Sequence, residues 1–181
     1  DIEKLDQIKN DFSKLMGNEM QLMWAKKLGL KKYNGTLTNE LFDLMVISKA
    51  DFTIFFRKLS YIPDNISLLK ESFYLPLTEE LNEKWNIWLK KWQLCIKICD
   101  DPKKISQSMK QNNPKYTWRE WMILPAYEEA EKGNYNLIRE LQSIFSDPYE
   151  EQSFEISQKY NRLKPREFFN IGGISHYSCS S

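Results

Sequence analysis

Thr78-Glu-Glu-Leu-Asn-Glu-Lys-Trp-Asn-Ile-Trp-Leu-Lys-Lys-Trp-Gln-Leu-Cys-Ile-Lys-Ile-Cys99 is the stretch that decides the fold class. Within it Leu81, Trp85, Trp88, Leu89, Trp92, Ile96 and Cys99 recur at steps of three and four, the period of one face of an α-helix. Thr78 supplies a side-chain cap at the start. Asp100-Asp101-Pro102 closes the segment, because proline disfavours helical geometry in the residue before it.

The same period extends outward in both directions. Ile2, Leu5, Ile8, Phe12, Leu15, Met16, Met20, Met23 and Leu28 predict an amphipathic helix, with Gly17-Asn18 as a candidate break and Gly29 as the stop. Thr38 is a candidate cap for a second helix to about Lys49. Asp51 caps a third over Phe52 to Leu59, with Phe52, Phe55, Phe56 and Leu59 on one side. Pro63-Asp64-Asn65 marks a turn, and Pro76 ends a looser stretch. Downstream, a short helix is expected over Lys103 to Gln111, then a loop at Asn112-Asn113-Pro114. Thr117 and Glu120 have capping-box spacing for a helix to Lys132, kinked at Pro125 and stopped by Gly133. Asn134 caps a last helix to about Phe145. No strand-like alternation occurs. The reading is all-α: an irregular helical domain of about six to seven helices over residues 1–145, followed by a tail over 146–181. Asp147-Pro148, Pro165 and Gly172-Gly173 predict that this tail is extended.

Composition narrows the function. With 26 basic and 25 acidic side chains in 181 residues, the net charge of +1 argues against a general polyanion binder, and no nucleic-acid partner is expected. The longest uncharged runs fall far short of the roughly 18 residues of a membrane span, so no membrane partner is expected. One His argues against a Ser-His-Asp triad, and six Gly form no phosphate-cradling loop. Three Cys are too few for a disulfide scaffold, which favours a reducing compartment. Residue 1 is Asp rather than Met, so a piece of a longer chain is expected.

Four groups of residues carry chemical potential. Cys95, Cys99, His176 and Cys179 add up to a zinc-type set, but Cys95 and Cys99 lie one turn apart in an apolar stripe and read as core. Glu128, Glu129 and Glu131 beside Lys132 read as a solvated helix face rather than a metal or acid–base site. Trp85, Trp88 and Trp92, with Trp118 and Trp121, read as core packing rather than base-stacking platforms. Cys179, in the terminal Ser178-Cys179-Ser180-Ser181, is placed to be an accessible thiol.

Several stretches come together in one order: Ala25-Lys-Lys-Leu-Gly-Leu30, Lys49-Ala-Asp-Phe-Thr-Ile-Phe-Phe-Arg-Lys-Leu-Ser60, Asn113-Pro-Lys-Tyr116 with Arg119, Glu131-Lys-Gly133, Asp147-Pro-Tyr-Glu-Glu-Gln152 and the terminal Ser-Cys-Ser-Ser. The set resembles the C-terminal portion of the selenoprotein O family, protein adenylyltransferases with a kinase-like fold. The sequence departs from the family pattern at Pro125 and Glu129, and follows its Pro-rich tail only loosely from Pro165 to Tyr177, with Phe168 or Phe169 where the family has Trp. The resemblance implies a full-length enzyme that moves AMP from ATP, with Mg²⁺ or Mn²⁺, onto Ser, Thr or Tyr hydroxyls of proteins. It implies that no catalytic, nucleotide-binding or metal-binding residue lies in this fragment, which would be inactive alone, and that its partner is a missing N-terminal kinase-like lobe. It places Cys179 where the family carries a near-terminal selenocysteine or cysteine linked to redox control. It implies a mitochondrial address for a eukaryotic source and a cytoplasmic one for a bacterial source. The alternative is a non-enzymatic helical protein-interaction module.

Overall fold

The computed structural model describes residues 2–97 and 101–170. Among these, eight α-helices and two 3₁₀ helices account for the regular structure, and the only β feature is an isolated bridge between Ala50 and Phe73. The helices are α1 (Ile2–Lys27), α2 (Gly35–Ile47), α3 (Phe52–Leu59), α4 (Glu79–Lys97), α5 (Pro102–Asn112), α6 (Glu120–Glu131), α7 (Asn136–Ser146) and α8 (Phe154–Tyr160). The 3₁₀ helices are Ile66–Ser72 and Arg166–Phe168.

Helix α4 forms for the reasons its sequence suggests. The Thr78 hydroxyl accepts from the Leu81 amide at 3.3 Å, and Glu79 and Glu80 occupy the positive end of the helix dipole. Trp85, Trp88, Leu89, Trp92 and Ile96 are buried. Two of these rings also solve a polar problem. Trp88 donates its indole N–H to the Leu37 carbonyl at 2.9 Å, and Trp92 donates to the Leu28 carbonyl at 2.8 Å. The α4 stripe is thus hydrogen-bonded to α2 and to the end of α1 as well as packed on them. Leu28, Leu41, Phe55, Phe56, Leu59, Leu69, Ile105 and Met109 complete this first core. Gly29 closes α1 with φ of +67°, and a Cβ there would stand 2.7 Å from Ile105 Cγ2, so the turn needs glycine on both counts.

A second, smaller core gathers Tyr116, Trp121, Met122, Ala126, Leu141, Ile144 and Tyr160 from α6, α7 and α8. Tyr160 comes from the segment expected to be extended. That expectation fails over residues 154–160. The Ser153 hydroxyl accepts from the Ile156 amide at 3.3 Å, and Ile156 and Tyr160, four residues apart, turn one face onto α6 and α7. The prolines at 148 and 165 and the Gly172-Gly173 pair mask a short capped helix of about two turns.

Three other local expectations change. Helix α2 is capped by Asn34, whose side-chain oxygen accepts from the Leu37 amide at 3.1 Å. Thr38 lies inside the helix, fully buried, and donates to the Asn34 carbonyl at 2.8 Å. Thr117 does not cap α6, because its hydroxyl is paired with that of Thr53 at 3.2 Å, and Arg119 takes the cap position without a side-chain bond. Helix α1 continues through Gly17 rather than breaking there, whereas Pro125 lies inside α6 as expected. The Asp51 cap of α3 is as expected, with Asp51 Oδ1 accepting from the Ile54 amide at 3.0 Å. Its buried face is Ile54, Phe55, Phe56 and Leu59, while Phe52 is 47% exposed.

Candidate functional site

Cys179, Cys99 and His176 lie outside the described residues. Cys95 is half-buried against the first core, in keeping with its reading as a packing residue. Glu129 pairs with Lys132 at 3.0 Å and accepts from Asn134 at 2.9 Å on an exposed surface. Trp118 departs from the core reading: it is 63% exposed and stacks on Phe145 with ring centroids 4.4 Å apart. Among the described residues no group of three or more His, Cys, Asp or Glu is placed to hold a metal ion. No described helix is long and apolar enough to cross a membrane.

Two features do stand out, and the first is an ion-pair network that pins the residues leading to the tail. Arg57 sits in α3 between Phe56 and Lys58 with its side chain only 3% exposed. One terminal nitrogen donates to the carbonyls of Lys110 and Asn113, each at 3.2 Å, and the other donates to Glu151 at 2.6 Å. Glu151 also accepts from Tyr61 at 2.5 Å and from Lys115 at 2.7 Å. Burial pushes the Glu151 carboxyl up, but the bonds from Lys115, Tyr61 and Arg57 outweigh it and hold the pKa down at about 2. Burial pulls the Lys115 ammonium down, but its bond to Glu151 and the fields of Tyr116, Glu151 and Tyr61 together outweigh it, leaving it above its ordinary value. Burial and the same carboxylate both raise Tyr61.

Neighbouring contacts extend this clamp. The amides of Lys115 and Tyr116 donate to the Pro148 carbonyl, and Gln152 donates to the Ile144 carbonyl at 3.1 Å. Arg119 donates two parallel bonds to Asp51, at 2.6 and 2.8 Å, tying the start of α6 to the start of α3. Tyr74 donates to the same carboxylate at 3.2 Å and accepts from the Lys164 amide at 3.4 Å. Spacing could not show this network, since the three side chains bonded to Glu151 lie 36 to 94 residues from it. The one local signal was an arginine in the middle of the aromatic run of α3.

The second feature is the face of α1. Its apolar residues share one side as the period predicts, yet they are uncovered. Ile2, Leu5, Ile8, Phe12 and Leu15 are 57% to 78% exposed, and Met16, Met20, Leu22 and Met23 are 38% to 52% exposed. Only the last turn, with half-buried Trp24 and buried Ala25, packs on the body, which it meets at α5 and, through the Trp24 ring, at Phe42 of α2 and Phe56 of α3.

The profile described as "Protein adenylyltransferase SelO" matches residues 1–146 of this sequence. The chain belongs to the SelO family. Similar proteins carry the name protein nucleotidyltransferase YdiU. That of Tolumonas auensis is 32% identical over 179 residues, covering 94% of this chain and 34% of its own length. That of Flavobacterium johnsoniae is 30% identical over 194 residues, covering 99% of this chain and 36% of its own. The Rhodopirellula baltica protein is 31% identical, covering 88% and 33%. This SelO-family chain therefore spans about a third of the length of the relatives it matches.

Proposed function

We propose that this chain is the C-terminal helical part of a protein adenylyltransferase, and that it braces a kinase-like portion through the apolar face of α1. The full-length enzyme would transfer AMP from ATP, with Mg²⁺ or Mn²⁺, to Ser, Thr or Tyr hydroxyls of proteins. The observation that carries the reading is the exposed α1 stripe in a chain that spans a third of its relatives. A helix of 26 residues is about 39 Å long. Burying nine large side chains along it is favourable by on the order of 10 kcal/mol before the costs of docking. A face of that size is uncommon on a self-contained monomer. Transfer of AMP needs cations to neutralise phosphate charge while a hydroxyl attacks. In this reading the chemistry belongs to the remainder of the enzyme, and no step is routed through these side chains.

Cys179 is assigned the redox role in this reading. Its thiol and one in the kinase-like portion would join as a disulfide, giving two electrons and two protons to an oxidant, and a thiol reductant would reverse the step. The Arg57–Glu151 clamp then serves to fix where the tail sets out from the helical body.

The test uses labelled ATP, Mg²⁺ or Mn²⁺ and a protein acceptor. The expected result is AMP transfer by the full-length enzyme and none by the 181-residue chain. Transfer by this chain alone would place the site here and overturn the assignment. In the full-length enzyme, Phe12→Asp with Leu15→Asp should weaken the hold on the kinase-like portion, read as a lower melting temperature, while the isolated chain melts unchanged. Equal loss in both would mean that α1 braces only this chain. Cys179→Ser should abolish the response of activity to dithiothreitol, and an unaltered response would remove Cys179 from the scheme. A chain with its own initiator Met near residue 1 and no kinase-like region upstream would favour the interaction module instead.

A further inference from the structure

A cleft of about 1050 Å³ opens where the residues after α8 cross the turn between α2 and α3. Four cations line it, Lys49, Arg162, Lys164 and Arg166, against a single acid, Glu71. That acid is already engaged by Lys58 at 2.5 Å. None of the four cations has a carboxylate partner among the described residues. Lys164 lies over the Phe169 ring at 5.6 Å and Arg162 over the Trp121 ring at 5.3 Å. In a chain of net charge +1 this is a concentration of unneutralised positive charge.

The walls between the charges are apolar. Tyr74 and Phe169 meet edge to face at 5.7 Å, with Leu75, Leu163 and Pro165 beside them. The ring faces are not free platforms for a planar base, since Lys164 covers Phe169 and the Tyr74 hydroxyl is held by Asp51. The backbone of residues 161–165 forms no regular helix, and the amides of Arg162 and Leu163 make no backbone hydrogen bond among the described residues. Unpaired amides beside alternating charge and apolar surface are what an added extended chain needs: main-chain bonds for affinity and side-chain sites for selection.

We propose that this cleft binds an acidic, extended peptide segment with apolar side chains between its carboxylates. Charge complementarity commits it to an acidic partner, and the Arg162 and Leu163 amides, which make no backbone bond among the described residues, commit it to a polypeptide. The proposal does not rest on the transferase reading, because the cleft is built wholly within this chain. If that reading also holds, the cleft selects acidic segments among its protein acceptors.

The probe is a fluorescein-labelled octapeptide alternating Glu with Leu and Phe, titrated by anisotropy into the 181-residue chain and into the full-length protein at low and high salt. Its counterpart with Gln for Glu is the control. The expected result is binding of the Glu peptide only, weakened by salt because exposed charges are screened. Lys49→Glu with Arg166→Glu should weaken it by roughly tenfold or more through reversed charge. Both residues are exposed and their side chains make no bond within the described fold, so the urea midpoint should not move. Four results would each overturn the proposal: no binding of the Glu peptide, equal binding of the Gln peptide, equal binding by the double variant, or displacement by inorganic phosphate at a concentration equal to the peptide's. None of these touches AMP transfer by the full-length enzyme, so the two readings fail separately.

Discussion

Replacing Arg57 by Met tests whether the buried clamp holds the helical body to the segment that follows it. The side chain is 3% exposed, and its two terminal nitrogens serve the Lys110 and Asn113 carbonyls and Glu151. Methionine fills the space of the methylene stem and returns none of these bonds. Each carbonyl left without a partner costs about 1–3 kcal/mol. Glu151 is 51% exposed and regains water, so the lost ion pair adds little. The expected loss is about 2–5 kcal/mol, a large share of the roughly 5–15 kcal/mol that stabilises a domain. At a slope of about 2 kcal/mol per molar urea, the midpoint should fall by roughly 1–2 M. The assay is urea unfolding followed by tryptophan fluorescence, which reports the α4 core directly. Glu151→Gln is the companion: it keeps an acceptor and removes the charge, and should cost about 1 kcal/mol or less. If Arg57→Met is too unstable to measure, Arg57→Lys keeps the charge without the fork and should fall between the two. Arg57→Met costing no more than Glu151→Gln would refute the argument that the buried carbonyls, rather than the ion pair, dominate.

Two further predictions concern the same fold. The Glu151 carboxyl is held at about 2 against an ordinary 4.5, so its contribution is complete above about pH 5 and is lost as pH falls toward 2. Discounted for exposure, stability should drop by about 1 kcal/mol over that window. Glu151→Gln should flatten this part of the profile, and identical profiles would remove Glu151 as the cause. Trp92→Phe should cost about 2–4 kcal/mol, because it opens space in the core and leaves the Leu28 carbonyl without its donor. Trp118→Phe, at an exposed ring, should stay within about 0.5 kcal/mol. The reverse order in urea unfolding would mean that the two tryptophans have been assigned the wrong roles.

Helix positions were largely legible because they are set by neighbours in sequence. The Thr78 and Asp51 caps act on amides three residues away, and the α4 stripe is a matter of spacing. The misreadings were competitions that nearby residues could not reveal. Thr117 had a capping-box partner in Glu120, but a hydroxyl 64 residues away took it. Residues 154–160 carried only two apolar positions at helical spacing, too few to outweigh the prolines around them. Trp118 and Trp121 are three residues apart, yet the α7 and α8 surfaces cover one and leave the other stacked at the edge on Phe145.

Periodicity and caps by themselves determined that this chain is helical, where most of its helices begin, and which residues form the aromatic centre of its first core. The ordered stretches of sequence pointed to its family. Burial, by contrast, depends on which surfaces meet. The α1 stripe and the α4 stripe have the same period in sequence, but α4 is enclosed by α2 and the 3₁₀ helix while α1 touches the body only at its last turn. Likewise, an arginine among phenylalanines becomes a clamp only when the C-terminal end of α5, more than fifty residues away, brings two carbonyls to it. A stripe states that a face is apolar, and only the packed chain decides whether that face is already covered.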